Sequence, residues 1–269
     1  MRVATRLAPQ NIAAWLNLTG AARDAGDLAL AQSALDAALA IDGAHPAALD
    51  QLGSLRRAQG DLHAARAAYA QALALTRAPA TALNLAAVEL ELGDAAQTVA
   101  RVEALLRHPQ APAEAFLLLA QARAAQRDFA AAEAACATGL ARCAGDARLL
   151  YQVGLMAEEQ GAHARAAQRY RDALERDPGN LRIAAQLQFA ERQCCDWREV
   201  DARGAWLRAQ LAAGRAGIAP FAFLADQATP AEQRRCAEIA ARALVARLPA
   251  APVPAPAPRL RTPGAPLRV

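Results

Sequence analysis

The sequence predicts an all-α solenoid of stacked helical pairs, followed by a helical connector and a Pro-rich tail. Three observations lead there. A unit of about 34 residues is written five times over, the period of a helix–turn–helix repeat. At that spacing Trp15, Leu49, Phe116 and Leu150 come into step, followed by Ala31, Ala65, Ala132 and Ala166, and then by Leu35, Tyr69, Cys136 and Tyr170. Turns recur at a fixed point: Gly26-Asp27, Gly60-Asp61 and Gly93-Asp94 occupy it in three units, and Gly161 keeps the glycine in the last.

In chain order, residues 1–11 come first. Ala4 to Asn11, reading ATRLAPQN, has the form of the closing residues of a unit, so the chain is read as opening part-way through an array. Residues 12–180 hold the five units. In the one from Ala147 to Asn180, Leu150, Val153 and Gly154 share a face of the first helix, and Ala166, Tyr170 and Ala173 answer from the second. Gly53, Gly154 and Ala166 let backbones approach, and large residues fill the gaps beside them. Asp177-Pro178-Gly179-Asn180 then stops the second helix, since Pro cannot continue it. A large apolar residue, a small one, a turn, an alanine and an aromatic, in that order, resemble the tetratricopeptide repeat. Neither helix of such a unit buries its apolar face alone. Stacking makes the core and leaves a curved inner face, a surface for gripping other chains. The third unit, about Pro79 to Pro112, is the weakest, with Thr98 in place of the expected alanine and an irregular connection from His108 to Pro112.

After Asn180 the register breaks. Residues 181–248 read as a capping helix, Leu181 to Ala190, that seals the stack, and then a helical connector. A helix carrying Trp206 and Leu211 follows the stretch Glu191 to Arg203. Thr229 is an N-cap, with Pro230 at the first helical position and Glu232 completing a capping box, and its helix is expected to run to about Leu248. Residues 249–269 begin by alternating Pro with Ala and Val, an extended tether by composition. The tail is expected to be mobile, with Leu267 to Val269 pairing with nothing.

Composition bounds the function. A chain of 269 residues, 55% apolar, has ample material for a core. Every one of its 30 positive charges is an arginine, and the net charge is only +4. The arginines are scattered among acids, and a basic stripe with stacking aromatics is missing, so a nucleic-acid partner is not expected. Met1 to Asn11 has no apolar signal region, and no stretch is long and uncharged enough to span a membrane; a cytoplasmic protein is expected. The five cysteines show no metal spacing and read as reduced, partly buried thiols. Without lysine there is no phosphate-loop lysine and no Schiff base, and no Gly-rich dinucleotide loop, zinc helix or nucleophile elbow is present. No catalytic residue and no cofactor are assigned to this chain.

The connector carries a second resemblance. Cys195-Asp196-Trp197 and the acidic Asp201-Ala202-Arg203 come directly after the last repeat, followed by a Pro-Phe-aliphatic run, Pro220 to Leu224, and by the helix from 230. This order resembles the N-terminal repeat region and connector of the bacterial SPINDLY-like protein O-linked N-acetylglucosamine transferases, and Leu267-Arg268-Val269 resembles the opening strand of their catalytic half. The resemblance implies an enzyme that transfers N-acetylglucosamine from UDP-GlcNAc to Ser or Thr of proteins. Its catalytic and donor-binding residues would all lie beyond Val269, so this chain alone is expected to be non-catalytic and to recruit acceptors.

One residue set follows from that family. In the animal members a ladder of asparagines on the inner helices clamps a bound peptide; the equivalent positions here hold Asn17, Gln51, Asn84, Leu118 and Gln152. An amide offers both a donor and an acceptor, so it can pair with a peptide unit whatever its sequence. Asn17, Gln51, Asn84 and Gln152 are therefore the candidate peptide-binding residues, with Leu118 breaking the ladder; the plainer reading is ordinary polar residues on a solvated face. Two other functions stay open, a free-standing scaffold that assembles other proteins and a remnant of the enzyme without function.

Overall fold

A computed structural model describes residues 5, 7–108 and 111–245 of the chain. Among them every regular element is a helix. Five antiparallel pairs come first: α1 (Ile12–Asp24) with α2 (Leu28–Ile41), α3 (Pro46–Ala58) with α4 (Leu62–Thr76), α5 (Pro79–Glu91) with α6 (Ala95–Leu106), α7 (Ala113–Ala125) with α8 (Phe129–Arg142), and α9 (Ala147–Glu159) with α10 (His163–Arg176). Then follow α11 (Leu181–Gln193), α12 (Val200–Ala212), the short α13 (Pro220–Phe223) and α14 (Pro230–Val245). The tail at 249–269, its Leu267–Val269 segment, the final residues of the helix expected to reach Leu248, and Met1 to Ala4 lie outside the described residues.

The turn inside each pair explains the Gly-Asp signature. Gly26, Gly60, Gly93 and Gly161 hold φ values of 78°, 80°, 84° and 73°, where a side chain would clash with its own backbone. After the first three of these glycines an aspartate caps the next helix, Asp27 accepting from the Leu30 amide at 3.0 Å and Asp61 from Ala64 at 3.0 Å, whereas Ala162 after Gly161 gives no side-chain cap. In the fourth pair Arg127 takes the left-handed place, at φ 64°, and its guanidinium lies 5.3 Å from the centre of the Phe129 ring. Asp128 still caps, accepting from Ala131 at 3.1 Å. At the start of α14 the expected capping box is closed: Glu232 N–H donates to Thr229 Oγ1 at 3.3 Å and Thr229 N–H to Glu232 Oε2 at 2.7 Å.

Packing within the pairs is a matter of matched sizes. Ala31, Ala65, Ala132 and Ala166 are fully buried, as is Thr98 in the third pair. Thr98 is tolerated because its hydroxyl donates to the carbonyls of Ala86 (3.2 Å) and Asp94 (3.1 Å), so no polar group is stranded. Where the second helix brings a tyrosine, the first helix brings a glycine. A Cβ on Gly53 would sit 2.6 Å from the ring of Tyr69, and one on Gly154 would collide with the ring of Tyr170. Where the second helix brings Val102 or Cys136, the first can carry Ala86 or Ala120, and all four are buried.

The first helices touch their successors directly, α1 with α3, α3 with α5, α5 with α7 and α7 with α9, while each second helix is wedged between the first helices of its own and the next pair. The layer of first helices therefore forms the inner face.

α11, the helix read from the sequence as sealing the stack, packs on two sides. Ile183, Leu187 and Ala190 pack on the last pair, and Leu181, Ala184 and Ala185 pack on the connector. A helix apolar on two sides cannot face water with either; the stack is closed by α12–α14. Two buried carboxylates fix that closure. Glu191 of α11, its side chain 1% exposed, pairs with Arg171 of α10 and Arg203 of α12. Asp226, 2% exposed, pairs with Arg192 of α11 and Arg208 of α12 and accepts from Gln188 at 2.8 Å. Gly204 makes room for the second cluster, since a Cβ there would lie 2.7 Å from Asp226 Oδ1.

Candidate functional site

The inner face carries a groove made of two connected recesses. The first, about 230 Å³, lies over α3, α5 and α7, with Asn84, Leu83 and Leu118 in its lining and the Arg57–Glu91 pair at its side. The second, about 560 Å³, lies over α7, α9 and the start of α11 and is walled by Arg215 to Gly217, the loop between α12 and α13. Leu117 and Gln121 line both, so the floor is continuous. Gly217 holds the loop close: a Cβ there would stand 3.4 Å from that of Leu181, and its φ of 125° suits glycine.

The amide ladder is distributed unevenly along this groove. All four candidate amides sit on first helices. Asn84 lines the first recess and Gln152 the second, whereas Asn17 and Gln51 line neither. Gln152 is 8% exposed, and its Oε1 receives only a long bond of 3.5 Å from Gln121 Nε2. Its own Nε2 has no hydrogen-bond partner among the described residues. Leu118, the break in the ladder, is buried and gives the floor an apolar step. Gln121 compensates for it: at i+3 it stands one turn further along the same helix face, which strict repeat alignment overlooks.

Opposite charges recur along the inner face at the repeat period. Arg57 Nε donates to Glu91 at 3.0 Å and Arg148 to Glu114 at 2.6 Å, in each case from one first helix to a neighbouring one, 34 residues away. Exposed pairs of this kind add at most about 1 kcal/mol each, so they shape the groove more than they stabilise it. Tyr151 stands in the second recess, with Arg182 acting on it electrostatically. Burial pushes its phenol above the ordinary value, opposed by the Arg182 guanidinium, so it stays a neutral donor at physiological pH.

The connector motif lies off this groove. Asp196 pairs with Arg171 and Arg198, and the Arg198 hydrogen bonds, first of all, hold its carboxyl well below the usual range. Arg203 joins the buried Glu191. Trp197 is 58% exposed, with the Arg192 guanidinium 5.8 Å from its ring centre, and Asp201 is exposed. Cys195 is exposed in a left-handed turn, φ 57°. Asp196 and Arg203 thus lock the connector onto the last repeat. Sequence reading missed Glu191 and Asp226, because their arginine partners lie on other helices, 12 to 34 residues away, and no local pattern marks either acid as buried. The two buried thiols offer little chemistry: burial pushes Cys136 up to about 12 and raises Cys236 as well. No three His, Cys, Asp or Glu side chains cluster to hold a metal ion among the described residues, and no described helix is long and apolar enough to cross a membrane.

Helical pairs, capped turns and a groove lined by first helices define the fold as a tetratricopeptide-repeat solenoid. Residues 46–79 match the family model of the tetratricopeptide repeat. Solved structures of similar fold include PilW, described as a widely conserved type IV pilus biogenesis factor (16% identity, 75% of this chain and 94% of that one, TM-score 0.67). A tetratricopeptide repeat protein from Parabacteroides merdae is similar over 85% of this chain and 98% of that one, at 16% identity and TM-score 0.59. YrrB, described as a repeat protein with an unusual peptide-binding site, is similar over 71% and 97%, at 16% identity and TM-score 0.53. No curated protein matches. These likenesses establish the fold and nothing finer.

Proposed function

We propose that the chain is a protein-binding module that holds an extended segment of a partner polypeptide in its inner groove. One observation carries the reading: Gln152 and Asn84 line two recesses that share Leu117 and Gln121, and the Gln152 amide nitrogen has no hydrogen-bond partner among the described residues. An amide without a protein partner offers its donors and acceptor to the backbone of an extended segment whatever that segment's sequence. The test is an array of unrelated decapeptides probed with the protein, followed by affinities for those retained. The Asn84→Leu/Gln152→Leu double variant should bind them about tenfold more weakly at an unchanged melting temperature. Equal affinity in variant and parent would remove the groove from the account.

A finer reading is favoured by the connector. Its resemblance to SPINDLY-like transferases, together with the Asp196 and Arg203 pairs that fix it to the last repeat, would hold whatever follows it in a set relation to the groove. On this reading the repeats recruit acceptor proteins in the cytoplasm for transfer of N-acetylglucosamine to Ser or Thr, with UDP-GlcNAc as donor to a catalytic half outside this chain. The coding sequence beyond Val269 should then continue into several hundred residues of α/β sequence, and the full product should label proteins retained by the groove. A full product that binds them but leaves them unlabelled would point instead to a scaffold.

A further inference from the structure

Resting on the groove reading, we infer that the cleft between α9 and the connector is an acidic-residue subsite, so that the preferred segment carries apolar side chains followed by glutamates or aspartates. The cleft is lined by Arg148, Arg182 and Arg215 against one acid, Asp177, which accepts from Asn180 at 2.8 Å. Arg148 is already engaged, by Asp146 at 2.9 Å and Glu114 at 2.6 Å. Arg182 and Arg215 are not: neither forms an ion pair among the described residues, and Arg215 spends one donor on Gln210 at 2.7 Å. Arg182 falls one repeat length after Arg148, which itself falls one repeat length after Glu114. Arg148 meets an acid one repeat length before it, whereas Arg182 has Arg148 at that spacing, so this end of the groove is left positive.

The rest of the groove fixes the kind of anion. Leu117, Leu118 and Leu155 give an apolar floor, and Gln121 and Gln152 offer amides to a backbone. Guanidinium groups bind carboxylates through paired hydrogen bonds. A polypeptide with an acidic stretch satisfies floor, amides and arginines together, whereas a nucleic acid would find a single aromatic, Tyr151, to stack upon. Only part of the cleft belongs to the repeats, since Arg215 arrives on the connector loop. The connector is thus a component of the subsite and not merely a spacer.

The experiment uses the full chain and fluorescence anisotropy with three labelled decapeptides, each Ser-Leu-Thr-Leu-Ser-Leu followed by Glu-Glu-Asp-Glu, Gln-Gln-Asn-Gln or Lys-Lys-Lys-Lys, and a ten-residue oligothymidylate. The acidic peptide should bind about tenfold tighter than the neutral one, and the lysine peptide weakest. That preference should vanish in Arg182→Gln/Arg215→Gln and shrink with added salt. Both arginines are exposed and free of ion pairs, so an unchanged melting temperature is expected of the variant. If acidic and neutral peptides bind alike, the subsite is refuted while the groove remains. If no peptide binds, both readings fall. Tighter binding of the oligothymidylate than of the acidic peptide would overturn the subsite in favour of a nucleic-acid partner.

Discussion

Tyr170→Ala should lower the stability of the chain by about 3–5 kcal/mol, the range for deleting a large buried ring. The ring is fully buried over Gly154 and lies 5.5 Å from that of Tyr151. Gly154 has no side chain to move into the void, and the helices on both sides are fixed by neighbouring pairs, so collapse is limited. The phenol also donates to the Glu158 carboxylate at 2.8 Å, which Tyr170→Phe would remove alone at about 1.5–3 kcal/mol. Urea unfolding measures the totals, and hydrogen exchange should show the loss concentrated in α9–α11 before α1–α3, because a solenoid repeat contacts only its neighbours. A loss below about 1 kcal/mol would contradict the matching of tyrosine to glycine. The same residue sets an alkaline limit. Burial, with Glu158 beside it, holds the Tyr170 phenol well above its ordinary value, and burial raises Tyr69 too. A raised acid favours the protonated folded state. That contribution is complete below the unfolded value of about 10 and is lost as pH rises through the folded value. Tyr170→Phe should flatten the decline.

The second large effect is expected at the connector. Asp226→Ala leaves Arg208 and Arg192, 27% and 14% exposed, without their carboxylate and should cost about 3 kcal/mol. Asp226 lies between α13 and α14 yet binds α11 and α12, so its removal loosens the joint and not the repeats. Protection from exchange should fall across α12–α14 and stay intact in α1–α8. Because Arg215 and Gly217 wall the second recess, peptide binding should weaken alongside it. Intact protection in α12–α14 would mean that apolar burial at Leu207, Leu211 and Phe223 suffices without the ion pairs.

How much was legible beforehand differs from element to element. The repeat was plain because each unit must bury the same face, so the same residue classes return at about 34 positions. The capping box at Thr229 was plain because its two partners lie three residues apart. The replacement of glycine by Arg127 was not, since a single left-handed residue has many possible spellings. Of the amides singled out by register, Asn84 and Gln152 meet in a common groove, but Asn17 and Gln51 line neither recess, and Gln121 escaped because it is one turn out of step.

The sequence alone determined the solenoid. Its period, its Gly-Asp turns and its small residues opposite large ones are local requirements, each met within about 34 residues of chain. Only the tertiary structure decided that α11 packs on two sides, that Glu191 and Asp226 are buried beside arginines from three helices, and that Arg215 reaches the groove. Those facts depend on the angle at which the connector returns across the last repeat. That angle is set by many weak contacts between distant residues, and no short spacing records it.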